Sequence, residues 1–160
     1  MNPHIVDEAG FLVIGIAVRT SNAKEITSEG VIGKQWGHFL QGNLAARIPH
    51  KVDSSIVAVY TDYAGDQDCT YTFVIGARVR SASEVPPGMV AKTVPAGRYA
   101  VFTSEKGPVE RIVVETWKRI WSTPESAPGG DRAFQTDFEI YDERAADPAN
   151  ARVEVHVGVK

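Results

Sequence analysis

A glutamate in the middle of an alternating segment offers the most distinctive chemistry in this chain. Residues 133–142 read AFQTDFEIYD, and successive side chains of such a segment point to opposite faces of a sheet. The segment divides into an apolar face, with Phe138 and Ile140, and a polar face, with Asp137, Glu139 and Tyr141. Glutamate is depleted in strands and is rarely buried without a partner. Glu139 therefore lies either on a solvated sheet face, which the alternation by itself favours, or in the wall of a cavity.

The composition is that of an ordinary globular domain, and it limits the classes of function. The 160 residues are 43% hydrophobic and 23% charged, which is enough apolar material for one core. Because the net charge is −3, we expect no nucleic-acid partner for this chain alone, whereas a cationic ligand is compatible with it. Cys69 is the single cysteine, which excludes an intrachain disulfide and a cysteine metal cluster.

The sequence predicts a cytoplasmic protein without a membrane partner. The first nine residues lack the basic segment and apolar core of a signal peptide. No apolar run approaches the roughly 20 residues that a membrane-spanning helix needs.

The first half of the chain reads as strand, helix, strand, strand. We predict strands over residues 11–20, 54–63 and 69–80, and a helix over about 27–42 whose glycines, Gly33 and Gly37, permit close packing on a sheet. The first strand has one face of large apolar residues, suited to packing on helices. Its other face carries mostly small side chains, which indicates either room for a ligand or a bend of the strand at Gly15.

The loop between the two later strands of this half, DYAGDQD at residues 62–68, contains three aspartates. Their order does not match a calcium-binding EF-hand loop, so we expect a solvated hairpin turn and no metal.

The second half repeats the same order. We predict a strand system over residues 89–103 that is interrupted at 95–97, and then a helix whose first position is Pro108. The helix carries an apolar stripe that includes Trp117 and Trp121. Strands over residues 133–142 and 152–160 follow.

These elements predict an α+β fold made of duplicated βαββ units in a single domain, 1–160. The units span about residues 11–80 and 89–160, and each needs the other to bury its sheet. We expect an antiparallel-rich curved sheet with two main helices on one face and a central ligand groove on the other. Phe138 and Ile140 would then pack under the helices, while Glu139 and Tyr141 would look into the groove.

At this level of detail the sequence resembles the GyrI-like small-molecule-binding family, which is related to the effector-binding domains of multidrug-responsive transcription activators. Six segments carry the resemblance in the order of the family: FLVIGIAVRTSN (11–22), WGHF (36–39), AVYTDY (58–63), YTFVIG (71–76), VPAGRYAVF (94–102) and DFEIYD (137–142). They extend over nearly the whole chain. The chain is similar to stand-alone members, which are also found as mobile gene-cassette proteins.

The resemblance implies a pocket lined by aromatic residues, with a buried glutamate that attracts lipophilic, cationic aromatic molecules. Glu139 matches that glutamate, so the resemblance favours the cavity over the solvated face. The aromatic lining would come from five residues: Trp36, Tyr60, Tyr71, Trp117 and Tyr141. The resemblance implies no cofactor and no metal, and we expect a monomer or homodimer.

Two other classes of function remain open at this point. GyrI-like proteins are similar to hydrolases of strained cyclopropane-containing natural products, in which Glu139 would act on water with Tyr60 or Tyr141 assisting. Other members modulate DNA gyrase by binding it. No P-loop, dinucleotide-binding glycine pattern, nucleophile elbow or zinc-protease motif occurs in the sequence.

Three basic side chains bear on Glu139. His156 is predicted on an adjacent strand, where it would serve as a polar partner of the carboxylate. Arg19 and Arg78 could neutralise Glu139, which would abolish the attraction for a cation.

Overall fold

The computed structural model describes residues 3–65 and 69–160. The strands are β1 His4–Glu8, β2 Phe11–Ser21, β3 Ile56–Thr61, β4 Thr70–Val79, β5 Val90–Val94, β6 Gly97–Thr103, β7 Arg132–Tyr141 and β8 Glu154–Val159. The helices are α1 Asn22–Glu25, α2 Ile32–Gln41 and α3 Val109–Ser122, with short 3-10 turns at Leu44–Arg47 and Glu143–Ala145.

The predicted strands are confirmed, and the structure adds β1, which the sequence analysis missed. The first helix begins later than predicted, at Ile32 rather than near residue 27. Thr27 does not cap it, since its hydroxyl bonds the carbonyl of Lys24 within a turn. The carboxylate of Glu25 instead accepts the amide hydrogens of Val31 and Ile32. Pro108 precedes the first residue of α3 rather than occupying its first position.

All eight strands form one antiparallel sheet in the order β1-β6-β8-β7-β3-β4-β2-β5. The inner part of this order, β6-β8-β7-β3-β4-β2, places equivalent strands of the two βαββ units at matching positions. The sheet therefore has β7 and β3 at its centre, and Glu139 of β7 pairs there with Ala58 of β3.

The two ends of the sheet meet and make it curl. His4 pairs with Val101 and Glu8 with Gly97, while Phe11 pairs with Val94. The register of these pairs continues without a shift from β1–β6 to β2–β5. β1 and β2 therefore act as one long strand, and this strand pairs along its length with a second long strand made of β5 and β6. Because β1 leads directly into β2 across Gly10, strands at opposite ends of the sheet order lie side by side.

The inside of the curl is an apolar core without helices. Phe138 packs there with Val13, Val59 and Tyr99, which come from the centre and both ends of the sheet. The outer face packs on the helices, and Phe39 of α2 belongs to its core. The prediction that Phe138 and Ile140 lie under the helices is therefore wrong, because the curled sheet fills its own interior. Glu139 and Tyr141 face the helices, and the groove is on that side as well.

Two glycines allow a close approach of neighbouring strands. Gly15 of β2 pairs with Gly76 of β4, and a Cβ atom at either position would collide with the backbone of the facing strand. The small face of β2 is thus a place of close strand approach rather than room for a ligand. Gly33 and Gly37 of α2 are different, because nothing lies within 4 Å of a Cβ atom added there. Their predicted role in close packing is wrong.

This contrast gives a matched pair of variants. We expect Gly76→Ala to lower the free energy of unfolding by about 1–3 kcal/mol or more, since the added methyl group meets backbone that cannot move aside. Gly37→Ala should raise it by up to about 1 kcal/mol, because alanine favours the interior of a helix. Urea denaturation of both variants measures the difference. A Gly76→Ala protein as stable as the parent would contradict the close approach.

Candidate functional site

The carboxylate of Glu139 is buried and held by three aromatic side chains. The residue is 1% exposed. The Tyr60 hydroxyl and the Trp117 indole N–H donate to Oε2 at 2.8 and 2.6 Å. The Tyr141 hydroxyl donates to Oε1 at 2.6 Å. The donors come from β3, α3 and β7, so the site exists only where helix and central strands meet.

The Glu139 carboxylate has no counter-ion within residues 3–65 and 69–160. Burial raises the pKa of Glu139, and the hydrogen bonds from Tyr141, Trp117 and Tyr60 oppose that rise in part. Among the described residues, no lysine or arginine forms an ion pair with Glu139. Burial beside the carboxylate also raises the pKa values of Tyr60 and Tyr141 well above the usual range, so both phenols stay protonated as donors.

The three basic residues considered from the sequence are engaged elsewhere. Arg19 donates to Asp62, Thr70 and Thr72 beside the β3–β4 hairpin. Arg78 forms an ion pair with Asp53 at 2.7 Å. His156 stacks on Phe138 at 4.4 Å inside the curl and contacts Glu154 at 3.1 Å. The prediction that His156 partners Glu139 is wrong, because the two side chains lie on opposite faces of the sheet.

A cavity of about 1010 Å³ lies between α2, α3 and the outer face of the sheet. All five predicted aromatic residues line it, and so do all three tryptophans of the chain. Its aromatic lining consists of Trp36, Tyr60, Tyr63, Tyr71, Trp117, Trp121 and Tyr141. Glu139 is not part of the lining, because its three donors stand between it and the cavity. The wall of the cavity is thus mostly apolar, and the carboxyl group of Glu139 lies directly behind it.

Contacts between aromatic rings fix the donors in place. Trp36 of α2 meets Tyr141 edge-on, with 4.6 Å between the ring centroids. Tyr60 contacts Trp117 at 5.1 Å and Tyr71 at 5.5 Å. Such pairs add about 0.5–1.5 kcal/mol each beyond the burial of area. The rings around Glu139 therefore form one packed layer rather than separate side chains.

A second buried carboxylate lies two residues away and is neutralised. Asp137 is fully buried, with Arg132 at 2.7 Å and the Tyr63 hydroxyl at 2.6 Å. The amide of Gly158 donates to its other oxygen. On this face of β7, Asp137 therefore has a guanidinium partner, whereas Glu139 has none among the described residues.

The cavity also has lining residues that the sequence did not predict for the site, among them Tyr63, Trp121 and Arg132. Trp121 follows Trp117 by one helical turn on the predicted stripe, so that spacing could have indicated it. With strict alternation along β7, the side chains of Arg132 and Asp137 would lie on opposite faces of the sheet. An irregularity in the pairing of β7 with β8 between these residues, near Phe134 with its φ of 52°, brings Arg132 to the face of Asp137.

The structure brings together no group of three or more histidine, cysteine, aspartate or glutamate side chains suited to a metal ion within residues 3–65 and 69–160. In the predicted hairpin turn, Asp62 is bound by Lys92 at 2.8 Å. Asp66 and Asp68 lie outside the described residues. In the described part of the chain, no helix has both the length and the apolar character to cross a membrane.

Comparison with known proteins gives the family. The family described as integron-associated effector-binding protein matches residues 4–159. The chain belongs to this family. It is 38% identical over 148 residues to YobU of Bacillus subtilis (strain 168), whose name describes a transcriptional regulator, and this match covers 91% of the chain and 90% of YobU. It is 29% identical to the transcriptional regulator BrlR of Pseudomonas aeruginosa over 99% of the chain, which spans only 56% of the length of BrlR.

Solved structures share the fold. An integron cassette protein from the mobile metagenome of Vibrio cholerae superposes with a TM-score of 0.78 at 26% identity, covering 100% of this chain and 97% of the other. SAV2435, solved in complex with tetraphenylphosphonium, gives a TM-score of 0.73 at 16% identity, with 100% and 94% of the chains covered. These matches confirm the GyrI-like, cassette-type resemblance and the α+β fold.

We expect Glu139→Gln to stabilise the unliganded protein at neutral pH. The amide oxygen can accept from Tyr60 and Trp117, and the amide nitrogen can donate to the Tyr141 oxygen, so the network survives without the charge. Because the pKa of Glu139 is raised by folding, its contribution to stability is complete below the ordinary carboxyl pKa. That contribution is lost as the pH rises through the raised value.

Thermal unfolding of both proteins between pH 4 and pH 8 measures this effect. The two curves should lie close together at the acidic end and separate as the pH increases, with the Glu139→Gln variant higher. Glu115→Gln is the matched control, since Glu115 is an exposed carboxylate on α3 that pairs with Arg111. Parallel curves for Glu139→Gln and its parent would show that Glu139 carries no uncompensated charge.

Proposed function

We propose that this protein binds lipophilic, cationic aromatic molecules in the cavity between α2, α3 and the sheet. The observation that carries the proposal is the buried Glu139 carboxylate, which has no counter-ion in the part of the chain that the structure describes and is held by donors that line the cavity. Membership of an effector-binding family supports a small-molecule ligand. We further propose that residues 1–160 act as one effector-binding domain of two units, about 11–80 and 89–160.

The charge of Glu139 acts through the aromatic layer. A cation in the cavity meets ring faces, and each favourable cation–π contact contributes about 0.5–2 kcal/mol. The carboxylate behind the rings adds about 3 kcal/mol for a cation about 6 Å away at an effective dielectric constant of about 20. Because a phenol that donates to a carboxylate is polarised, its ring also becomes a better partner for a cation.

Other charges around the cavity favour the same sign of ligand. Four further carboxylates belong to residues that line it, Glu25, Glu110, Asp142 and Glu143, of which Asp142 is paired with Arg144 at 2.8 Å. Arg132 is the one basic residue among the described lining residues, and it is paired with Asp137. Carboxylates around a cavity concentrate cations and accelerate their association.

The cavity is suited to selection by charge and bulk rather than by detailed shape. Its volume is at the upper end of the range of about 300–1,000 Å³ that is typical of ligand sites. Apolar and aromatic side chains predominate in its wall, which supplies few directional contacts. Affinity for several unrelated aromatic cations is the expected result.

The geometry favours binding over hydrolysis. Three of the roughly four acceptor sites of the Glu139 carboxylate are occupied, and the group is buried behind its donors rather than exposed in the cavity, which limits the access of a water molecule to it. The hydrolase role for Glu139, Tyr60 and Tyr141 and the gyrase-modulating role stay predictions. So do the cytoplasmic location and the monomer or homodimer state.

The proposal is tested by removing the charge at constant shape. We expect Glu139→Gln to weaken binding of tetraphenylphosphonium by about 10- to 100-fold, which corresponds to about 1.4–2.8 kcal/mol. Binding of the neutral triphenylphosphine oxide should change much less. Because all three tryptophans line the cavity, quenching of intrinsic fluorescence reports occupancy, and calorimetry gives the dissociation constants.

Glu115→Gln serves again as the control and should bind like the parent. Equal affinity of the parent and Glu139→Gln for tetraphenylphosphonium would refute the proposed role of Glu139. Absence of any binding to the parent would refute the function itself.

The affinity should also depend on pH. Burial raises the pKa of Glu139, so protonation removes its charge at a higher pH than for an ordinary carboxyl group. Binding of a permanently charged cation by the parent should therefore weaken as the pH falls through that raised pKa. The Glu139→Gln variant should show a flat profile in the same interval. A parent profile that is equally flat would count against the mechanism.

A further inference from the structure

The buried guanidinium of Arg132 has donors that the protein does not use. The side chain is 6% exposed, and its Nη2 atom donates to Asp137 at 2.7 Å. Its Nε and Nη1 atoms are buried and find no acceptor among the described residues. Leaving a buried charged donor without an acceptor is costly, so turning these two atoms toward the cavity to meet a ligand acceptor would recover hydrogen bonds that the unliganded protein lacks.

Arg132 also lies in the right place to meet a ligand. It is a lining residue of the cavity. The guanidinium carbon lies 4.4 Å from the centroid of the Phe134 ring and 5.8 Å from that of Trp117. Trp117 donates to Glu139 through its indole nitrogen, so the same ring adjoins both the unpaired carboxylate and the guanidinium. A bulky ligand that covers Trp117 lies close to both groups.

The charges define what the Arg132 end of the cavity can accept. Because Arg132 and Asp137 neutralise each other, this end carries no net charge that would repel a cation. Its free donors require a hydrogen-bond acceptor. Tyr63 lines the cavity beside them, but its hydroxyl donates to Asp137 and does not supply the missing acceptor.

We propose that Arg132 forms a second subsite that binds an oxygen acceptor, such as a carbonyl group, of the aromatic cation whose charge is attracted by Glu139. This inference rests on the proposed function and narrows the ligand class. Preferred ligands are lipophilic cations that carry an acceptor oxygen on an aromatic arm. The acceptor gains charge-assisted hydrogen bonds in a site with little water, whereas a purely hydrocarbon cation leaves the donors unused.

Two phosphonium ions of equal charge and similar shape test the subsite. One is triphenylphosphonium with a para-acetylphenyl group as its fourth arm, and the other has a para-isopropenylphenyl group, in which a methylene replaces the oxygen. We expect the acetyl compound to bind the parent about tenfold more tightly. Equal dissociation constants for the two compounds, measured by calorimetry on the parent protein, would overturn the inference.

A paired substitution locates the effect without leaving a buried charge unpartnered. In Arg132→Met with Asp137→Asn, the new amide can still accept from Gly158 and donate to the Tyr63 oxygen. The ratio of the two dissociation constants should fall from about ten to within about twofold of unity. A ratio unchanged by this pair of substitutions would also overturn the inference.

The control removes an arginine–carboxylate pair outside the cavity. Arg111→Met with Glu115→Gln deletes an exposed pair on α3 whose members do not line the cavity, and the tenfold ratio should persist. Tetraphenylphosphonium is measured in parallel on the parent. If it binds while the two test compounds bind equally, the subsite alone is wrong. If no phosphonium ion binds, the proposed function fails together with the subsite. The comparison of compounds on the parent decides the inference even if the Arg132 variant does not fold.

Discussion

The structure depends on one costly interaction, a carboxylate removed from water and held by neutral aromatic donors instead of a cation. Tyr60, Trp117 and Tyr141 come from three different elements, and each gives its hydrogen bond to Glu139. These bonds offset part of the cost of burial, as the raised pKa of Glu139 indicates. A neighbouring arginine would reduce the cost further, and the protein does have one. Arg132 is committed to Asp137, which leaves the charge of Glu139 available to the cavity.

The curled sheet allows the fold to tolerate such a site. The inside of the curl has its own apolar core, in which Phe138 packs with residues from both ends of the sheet. The outer face packs on the helices around a separate apolar cluster, and the cavity lies between those helices and the sheet. Gly15 and Gly76 also contribute to the sheet, because they allow β2 and β4 to approach each other closely. The cavity thus lies between the sheet and the helices, outside the core that the curled sheet encloses.

Residues around the cavity have double roles, which links recognition to local stability. Glu25 lines the cavity and also accepts the amide hydrogens at the start of α2, where Val31 supplies no side-chain cap. Trp36, on the same helix, packs against Tyr141. A ligand that contacts these residues thus contacts the groups that fix α2 to the sheet. The family match identifies the chain as an effector-binding type. An effector in the cavity would contact α2 and the residues that attach this helix to the sheet.

Local sequence patterns predicted the order of the elements and the polar face of β7, and the resemblance added five of the seven aromatic residues that line the cavity. Apolar periodicity and turn residues are local properties, and they survive in the structure at β2, α3 and β8 with small changes of bounds. The resemblance then distinguished a buried Glu139 from a solvated one, which alternation could not do. Tertiary structure decided which side of the sheet faces the helices, and therefore where the cavity lies.

Closure of the sheet also added β1, whose pairing with β6 is non-local, and it placed His156 on the face opposite Glu139. It brought Arg132 to Asp137 through an irregularity in β7 that no periodic pattern contains. All of these features have the same physical reason. The alternation of side chains along a strand determines which residues share a face, but the residues that pack against that face are determined only when the sheet closes.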